Sequence, residues 1–155
     1  MQQQANGYKA LLIIYMALLA GQIAFAGVAV FLVQQNIFRP GMRELENIFL
    51  PMAVILALVC IVAGNKIFKN RTQNSADQEQ PLAARFSDYR AVSILRWAML
   101  EGPCLFAIIS FMLTANYLFL LIAGLLLVVF GSSYPSKNKV SAQLGIDADD
   151  LDSIS

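Results

Sequence analysis

The 155 residues of this chain are 58% hydrophobic and only 14% charged, with a mean hydropathy of +0.62. This composition excludes an ordinary soluble domain and indicates a protein whose solvent is largely lipid. The net charge of +1 provides no field to attract nucleic acid, so we expect no nucleic-acid partner. The chain has no histidine, and Cys60 and Cys104 lie inside apolar runs. The sequence therefore predicts no metal site, no cofactor and no disulfide framework.

The first long apolar run covers residues 10–33 and follows Lys9. It contains Ala24-Phe25-Ala26, a small-residue pattern similar to a signal-peptide cleavage site. Hydrophobicity continues past this pattern to the end of the run, which gives the roughly 20 residues needed to cross a bilayer core. We therefore predict a retained membrane helix.

Three further apolar runs predict spans over residues 48–68, 91–113 and 115–134. The last two spans are joined by Thr114-Ala115-Asn116, a connection so short that it forces an antiparallel hairpin. Residues 1–134 are thus expected to form an all-α bundle of four transmembrane helices, arranged as two antiparallel hairpins. Within this bundle the polar residues 70–88 are predicted to be a flexible cytoplasmic linker, and residues 135–155 a cytoplasmic tail.

Basic residues are distributed unequally between the two ends of the predicted spans. Only Arg39 and Arg43 fall on one side, and the other nine lysines and arginines fall on the opposite side or just inside the third span. Because Lys and Arg near span ends are retained in the cytoplasm, both termini are predicted to be cytoplasmic. The nine residues are Lys9, Lys66, Lys69, Arg71, Arg85, Arg90, Arg96, Lys137 and Lys139.

A possible internal repeat relates the first and third spans. A shift of 81 residues sets Met16–Leu32 beside Trp97–Leu113 with six identities in seventeen positions. Such a match also arises by chance between helices built from few residue types. If the repeat is real, two hairpins of the same orientation are related by an axis along the membrane normal.

Glu101 is the strongest single signal of function, because a carboxylate within a span costs at least about 3 kcal/mol unless it is paired, protonated or facing water. Two interpretations stay open: an ion or proton site, and a structural glutamate that joins helices. Arg96 is five residues away, a spacing that turns the two side chains apart around the helix. Gln22, in the middle of the first span, is the better candidate partner for a hydrogen bond across helices.

Two other local features accompany this candidate site. Gly102 and Pro103 follow Glu101 directly, and proline removes one helical hydrogen bond, so a helix kink is expected there. On the first span, Ala17, Gly21 and Ala24 form a stripe of small residues that allows another backbone to approach closely. We expect this stripe to be a packing face, either within the bundle or between subunits.

The stretch from Arg90 to Phe106, together with Pro135-Ser-Lys137, resembles a group of short bacterial four-helix integral membrane proteins. This resemblance implies a fold and a location in a bacterial inner membrane, and it implies no activity. A weaker likeness, carried by Ala98-Met-Leu-Glu101, is to the proteolipid subunits of rotary ATPases, in which a membrane carboxylate binds the transported ion. The chain departs from that family because its carboxylate lies on the first helix of a hairpin and its first helix is not glycine-rich.

Three function classes follow from the sequence. The first is an accessory or structural subunit of a membrane complex, in which Glu101 and Gln22 join helices. The second is a proton- or cation-linked transport component that uses Glu101, and the third is a membrane protein that binds a lipid or small molecule. No catalytic set is visible, so we do not expect an enzyme. Membrane lipid and either further copies of the chain or other membrane subunits are the expected partners.

Overall fold

The computed structural model describes residues 7–37, 43–76 and 81–145, and this described part is helical without strands. A single 3-10 turn, Arg43–Leu45, precedes the second helix. The predicted all-α class is confirmed. The five helices are α1 (Gly7–Gln34), α2 (Glu46–Ala76), α3 (Leu82–Thr114), α4 (Tyr117–Ser132) and α5 (Lys137–Leu144).

Three helices are long and apolar enough to cross a membrane, over Gly7–Gln34, Glu46–Thr72 and Ala83–Thr114. The fourth predicted span is shorter than expected. Helix α4 has 16 residues, or about 24 Å at about 1.5 Å per residue, against a bilayer core of about 30 Å. It reaches a spanning length only together with α5, from which it is bent by 64°. The chain is thus compatible with a multi-pass membrane protein of three spans, or four if α4 and α5 are one bent span.

The segment predicted as a flexible linker, residues 70–88, is largely helical. Helix α2 continues to Ala76 and α3 begins at Leu82, while residues 77–80 lie outside the described residues. The reason is packing: Phe86 and Tyr89 are buried, and the Tyr89 ring meets the Phe68 ring at a centroid distance of 5.9 Å. The two helices therefore continue past the apolar runs as a packed antiparallel pair.

The predicted tail also contains structure. Helix α5 packs on the end of the bundle and buries Val140 and Leu144, because its polar sequence still carries apolar residues on one face. Residues 146–155, which include the acidic end of the predicted tail, lie outside the described residues.

Helix α3 is the centre of the bundle. It packs against α1, α2 and α4, whereas α1 and α2 hardly touch each other within the described residues. The predicted arrangement of two hairpins is therefore not confirmed: α3 and α4 form the second hairpin, but α2 packs on α3 rather than on α1. Helix α1 lies parallel to α3 and antiparallel to α4, as its contacts along α4 show: Tyr8 reaches Pro135, and Tyr15 reaches Phe130.

The turn between α3 and α4 has a defined geometry. Ala115 adopts a left-handed conformation with φ 57°, and its N–H donates to the Phe111 carbonyl oxygen at 2.7 Å. The Asn116 side chain then caps α4 by accepting a hydrogen bond from the Leu118 N–H at 2.9 Å. Its amide group also donates to the Glu46 carboxylate, which fixes the start of α2 beside the turn.

Candidate functional site

The predicted pairing of Glu101 with Gln22 is not formed. Gln22 is only 1% exposed, yet neither its amide nitrogen nor its amide oxygen has a hydrogen-bond partner. Glu101 is partly exposed, and within the described residues its carboxylate makes no hydrogen bond or ion pair. These two side chains are therefore separate polar groups in the apolar bundle.

The helix register places Gln22 and Glu101 at different levels of the bundle. The rings of Tyr15 and Trp97 lie 5.1 Å apart and fix α1 beside α3. Two turns further along these parallel helices, Gln22 comes level with Cys104. The Cys104 thiol donates a long hydrogen bond to the Ala123 carbonyl oxygen on α4, at 3.8 Å. Gln22 is thus level with the Cys104 thiol, which is already hydrogen-bonded. Along the helix axis, Gln22 lies about one turn past the Glu101 carboxylate.

The stripe of small residues on α1 points away from the bundle. Ala17, Gly21 and Ala24 are all exposed, and a Cβ built on Gly21 would meet no atom within 4 Å. The stripe therefore does not pack within the described bundle, and the expectation that remains is a contact between subunits.

Gly102 and Pro103 lie in the interior of α3, which is helical through both residues. Pro103 is buried and Gly102 is exposed, with no atom within 4 Å of a Cβ built on Gly102. The predicted kink at this position stays a prediction.

A polar cavity that the sequence did not reveal lies at the end of the bundle, under α5. Its volume is about 50 Å³. Helices α2, α3 and α5 contribute to it, as do the last residue of α4 and the connection that follows. The lining residues are Phe68, Tyr89, Ser93, Arg96, Trp97, Ser132, Ser133, Tyr134, Lys139 and Gln143.

Arg96 dominates the electrostatics of this cavity. Its guanidinium carbon lies 5.0 Å from the centroid of the Phe68 ring, a cation–π arrangement. The Nε atom is buried and has no hydrogen-bond partner. No carboxylate lines the cavity, and no ion pair joins Arg96 to Glu101 among the described residues. In the part of the chain that the structure describes, this half-buried guanidinium therefore has no counter-charge.

Ser93 lies one turn before Arg96 on the same side of α3. Its side chain is 2% exposed, and its hydroxyl has no hydrogen bond of normal geometry. The Tyr89 hydroxyl is near enough to interact with it. A hydroxyl can accept from one group and donate to another, so the Ser93 proton can serve a further acceptor in the cavity.

Among the described residues, three hydrogen bonds hold α5 and the connection before it over the cavity. Lys139 Nζ donates to the Ser132 carbonyl oxygen at 3.1 Å, and the Tyr8 hydroxyl donates to the Pro135 carbonyl oxygen at 2.9 Å. Arg85 donates to the carbonyl oxygen of Leu144, at the end of α5. These contacts place the Lys139 ammonium at the cavity while α5 stays docked.

Other cavities differ in chemistry. A smaller one of about 10 Å³ adjoins the first through Tyr89 and Gln143, and its lining includes Asp88. A groove of about 180 Å³ between α2 and α4 is lined by apolar residues alone. Among the described residues, no group of three or more His, Cys, Asp or Glu side chains could hold a metal ion.

Some of the residues that line the cavity could be grouped from the sequence. Ser93, Arg96 and Trp97 follow the spacing of one helix face, which places them together. Arg96 was instead counted as a membrane-flank charge. The contributions of Phe68, Lys139 and Gln143 come from other helices, and no local pattern indicates them.

Comparisons with protein-family models, with curated proteins and with solved structures find no match to this chain. The functional interpretation therefore depends on the geometry alone.

Proposed function

We propose that this chain is a structural subunit of an oligomeric membrane assembly, in which α1 packs against α1 of a second copy. The observation that carries the proposal is the outward small-residue stripe. Helix α1 has 28 residues but buries only Leu11, Tyr15, Gln22 and Ala29, and its stripe has no partner in the described bundle. In lipid, helices associate where small residues let backbones approach closely.

A second copy is the occupant that the stripe fits best. Ala17 and Gly21 are four residues apart, and so are Ala20 and Ala24, which gives two overlapping small-xxx-small patterns on exposed positions. Two identical helices bring the same patterns to a crossing, and a two-fold contact needs only one self-complementary face. Lys9 is the only charged residue of α1, so no charge repulsion opposes the contact.

Disulfide cross-linking in membranes tests this arrangement. Cys60 and Cys104 are first replaced by alanine, and one cysteine is then introduced as Gly21→Cys or, as the control, Ile23→Cys. Ile23 is also exposed but lies about 200° around the helix from Gly21. We expect a cross-linked dimer from Gly21→Cys and little from Ile23→Cys, since a disulfide needs Cα atoms within about 7 Å. Equal cross-linking at both positions, or none at either, contradicts the proposal.

A second candidate function, proton- or cation-linked transport, is favoured by Glu101, whose carboxylate has no partner among the described residues and lies on a helix apolar enough to span a membrane. The test is Glu101→Gln in sealed proteoliposomes with a proton- or cation-sensitive dye. A structural subunit assembles and gives no flux with either side chain, whereas a carrier gives flux that the substitution abolishes. Infrared difference spectra of the carboxyl group, with and without sodium and potassium, report whether a cation binds there.

We further propose that both termini lie in the cytoplasm of a bacterial inner membrane. The support is the excess of basic residues on one side of the spans, including Lys66, Lys69 and Lys139. In right-side-out vesicles of a variant without native cysteines, Lys69→Cys should resist a membrane-impermeant thiol reagent. Labelling of intact vesicles as fast as of opened ones contradicts this orientation.

A further inference from the structure

We propose that the cavity under α5 binds a phosphate group, presented either by a lipid headgroup or by a free phosphate ion. Arg96 and Lys139 supply the charge, and Ser93 supplies a hydroxyl donor. This proposal is independent of the contact between α1 helices, because no residue of α1 lines the cavity.

The charge of the cavity selects an anion. Among the described residues, two cationic side chains line it and no carboxylate does. Asp88 lines the adjoining smaller cavity instead. The Phe68 ring offsets part of the cost of placing a guanidinium in apolar surroundings, but it is not a counter-ion. A bound anion would supply the missing charge.

The unpartnered polar atoms point to the same ligand. Arg96 Nε and the Ser93 hydroxyl are buried, neither makes a hydrogen bond of normal geometry within the described residues, and both can donate. Gln143 Oε1 is also unpartnered. Rotation of that amide by half a turn presents its NH₂ group to the same space, because the two orientations have nearly the same shape. Arginine is suited to phosphate in particular, since its planar fork matches two phosphate oxygens.

The size of the cavity fits a small group. Its volume is about 50 Å³. With roughly 10–15 Å³ needed for each water-sized group, three to five such groups fit, and a phosphate has five non-hydrogen atoms. A larger polar ligand would have to keep most of its atoms outside, as a lipid does when only its headgroup phosphate enters.

The position of the cavity explains how a lipid phosphate could reach it. Trp97, Tyr89 and Tyr134 line its walls, and such aromatic residues gather at the level of the headgroups. Lys139 is exposed beside them. Basic pockets between membrane helices are known sites for anionic headgroups.

Trp97 is the only tryptophan of the chain and lines the cavity, so its fluorescence reports binding directly. The detergent-purified full chain is titrated, at constant ionic strength, with inorganic phosphate and separately with a short-chain phosphatidylglycerol. Sodium chloride is the reference salt. We expect a saturable change in Trp97 emission with at least one of the two phosphate probes and none with chloride.

Saturation by both probes identifies the phosphate group itself as the ligand. Saturation by the lipid alone assigns the site to a headgroup, and saturation by inorganic phosphate alone assigns it to a soluble anion. Absence of a saturable response to either probe, or an equal response to chloride, overturns the proposal.

Variants then distinguish binding in the cavity from a general attraction of anions to the positive charge of the protein. Arg96→Gln is expected to weaken binding at least about tenfold, as for the loss of a charge-assisted hydrogen bond. Arg90→Gln is the matched control, because Arg90 is an exposed arginine on α3 that does not line the cavity. Ser93→Ala keeps every charge, and binding about threefold weaker or more is expected. Equal weakening by Arg96→Gln and Arg90→Gln, or unchanged binding in both Arg96→Gln and Ser93→Ala, contradicts the assignment.

Discussion

Tyr15 and Trp97 meet edge to face with ring centroids 5.1 Å apart, and this contact joins the first helix of the bundle to the third. The Tyr15 ring also stacks on Phe130 of α4 at 5.1 Å. Its hydroxyl donates to the carbonyl oxygens of Phe130 and Gly131 at 3.1 and 3.2 Å. A single tyrosine thus connects α1 to both neighbouring helices, beside the cavity that Trp97 lines.

Removal of the Tyr15 hydroxyl should weaken the bundle measurably. Tyr15→Phe keeps the ring contacts but leaves two carbonyl oxygens without this donor, so we expect a loss of about 1 kcal/mol in the free energy of unfolding. Unfolding by denaturing detergent in mixed micelles measures it. Tyr117→Phe is the control, since Tyr117 is exposed and its hydroxyl makes no hydrogen bond within the described residues. Equal losses in the two variants would show that the Tyr15 hydrogen bonds contribute nothing.

Gln22 should be replaceable by an apolar residue of similar size. Because its buried amide makes no hydrogen bond, Gln22→Leu is expected to raise the free energy of unfolding by about 1 kcal/mol. A double-mutant cycle with Glu101→Gln should give a coupling energy within about 0.5 kcal/mol of zero. A coupling above about 1 kcal/mol would mean that the amide and the carboxylate interact, as the sequence had suggested.

Two alanine-to-glycine changes, one in the turn between α3 and α4 and one within α3, should change stability in opposite directions. Ala115 has φ 57°, which costs an alanine roughly 1 kcal/mol, so Ala115→Gly should stabilise the protein slightly. Ala98 is an exposed residue within α3, and Ala98→Gly should cost about 1 kcal/mol. Thermal unfolding in detergent compares the two. A destabilising effect of Ala115→Gly similar to that of Ala98→Gly would argue against the left-handed turn.

Substitution of two glycines by leucine separates a contact within the bundle from a proposed contact between subunits. A Cβ on Gly64 would lie 3.7 Å from Arg96 Cγ and 3.8 Å from Met99 Cβ, so Gly64→Leu overpacks the α2–α3 contact and should cost about 1–3 kcal/mol. The leucine side chain of Gly21→Leu would extend into open space, so this change should not lower the stability of the monomer. It should instead abolish self-association, measured by light scattering in detergent. Loss of monomer stability in Gly21→Leu would place its stripe inside the bundle.

The fold class and the α3–α4 turn could be predicted because each depends on local sequence. Long apolar runs predict helices in lipid wherever they occur, and Thr114-Ala115-Asn116 is too short for any connection but a tight reversal. Prediction was less successful at Asn70–Ala76 and Leu82–Asp88, where polar residues suggested a linker. These segments are helical because Phe86 and Tyr89 find apolar partners on another helix, and a hydropathy average does not contain that information.

The sequence by itself determined that this protein is helical and apolar enough to cross a membrane several times, because transfer from water to lipid depends on composition along the chain. Only the tertiary structure decided the neighbours: α1 packs on α3 rather than α2, Gln22 lies apart from Glu101, and the small-residue stripe points outward. Apolar helix faces are nearly interchangeable in hydropathy, so helix pairing is set by side-chain shape and close packing. The same packing brings Arg96, Phe68 and Lys139 from three helices to one cavity.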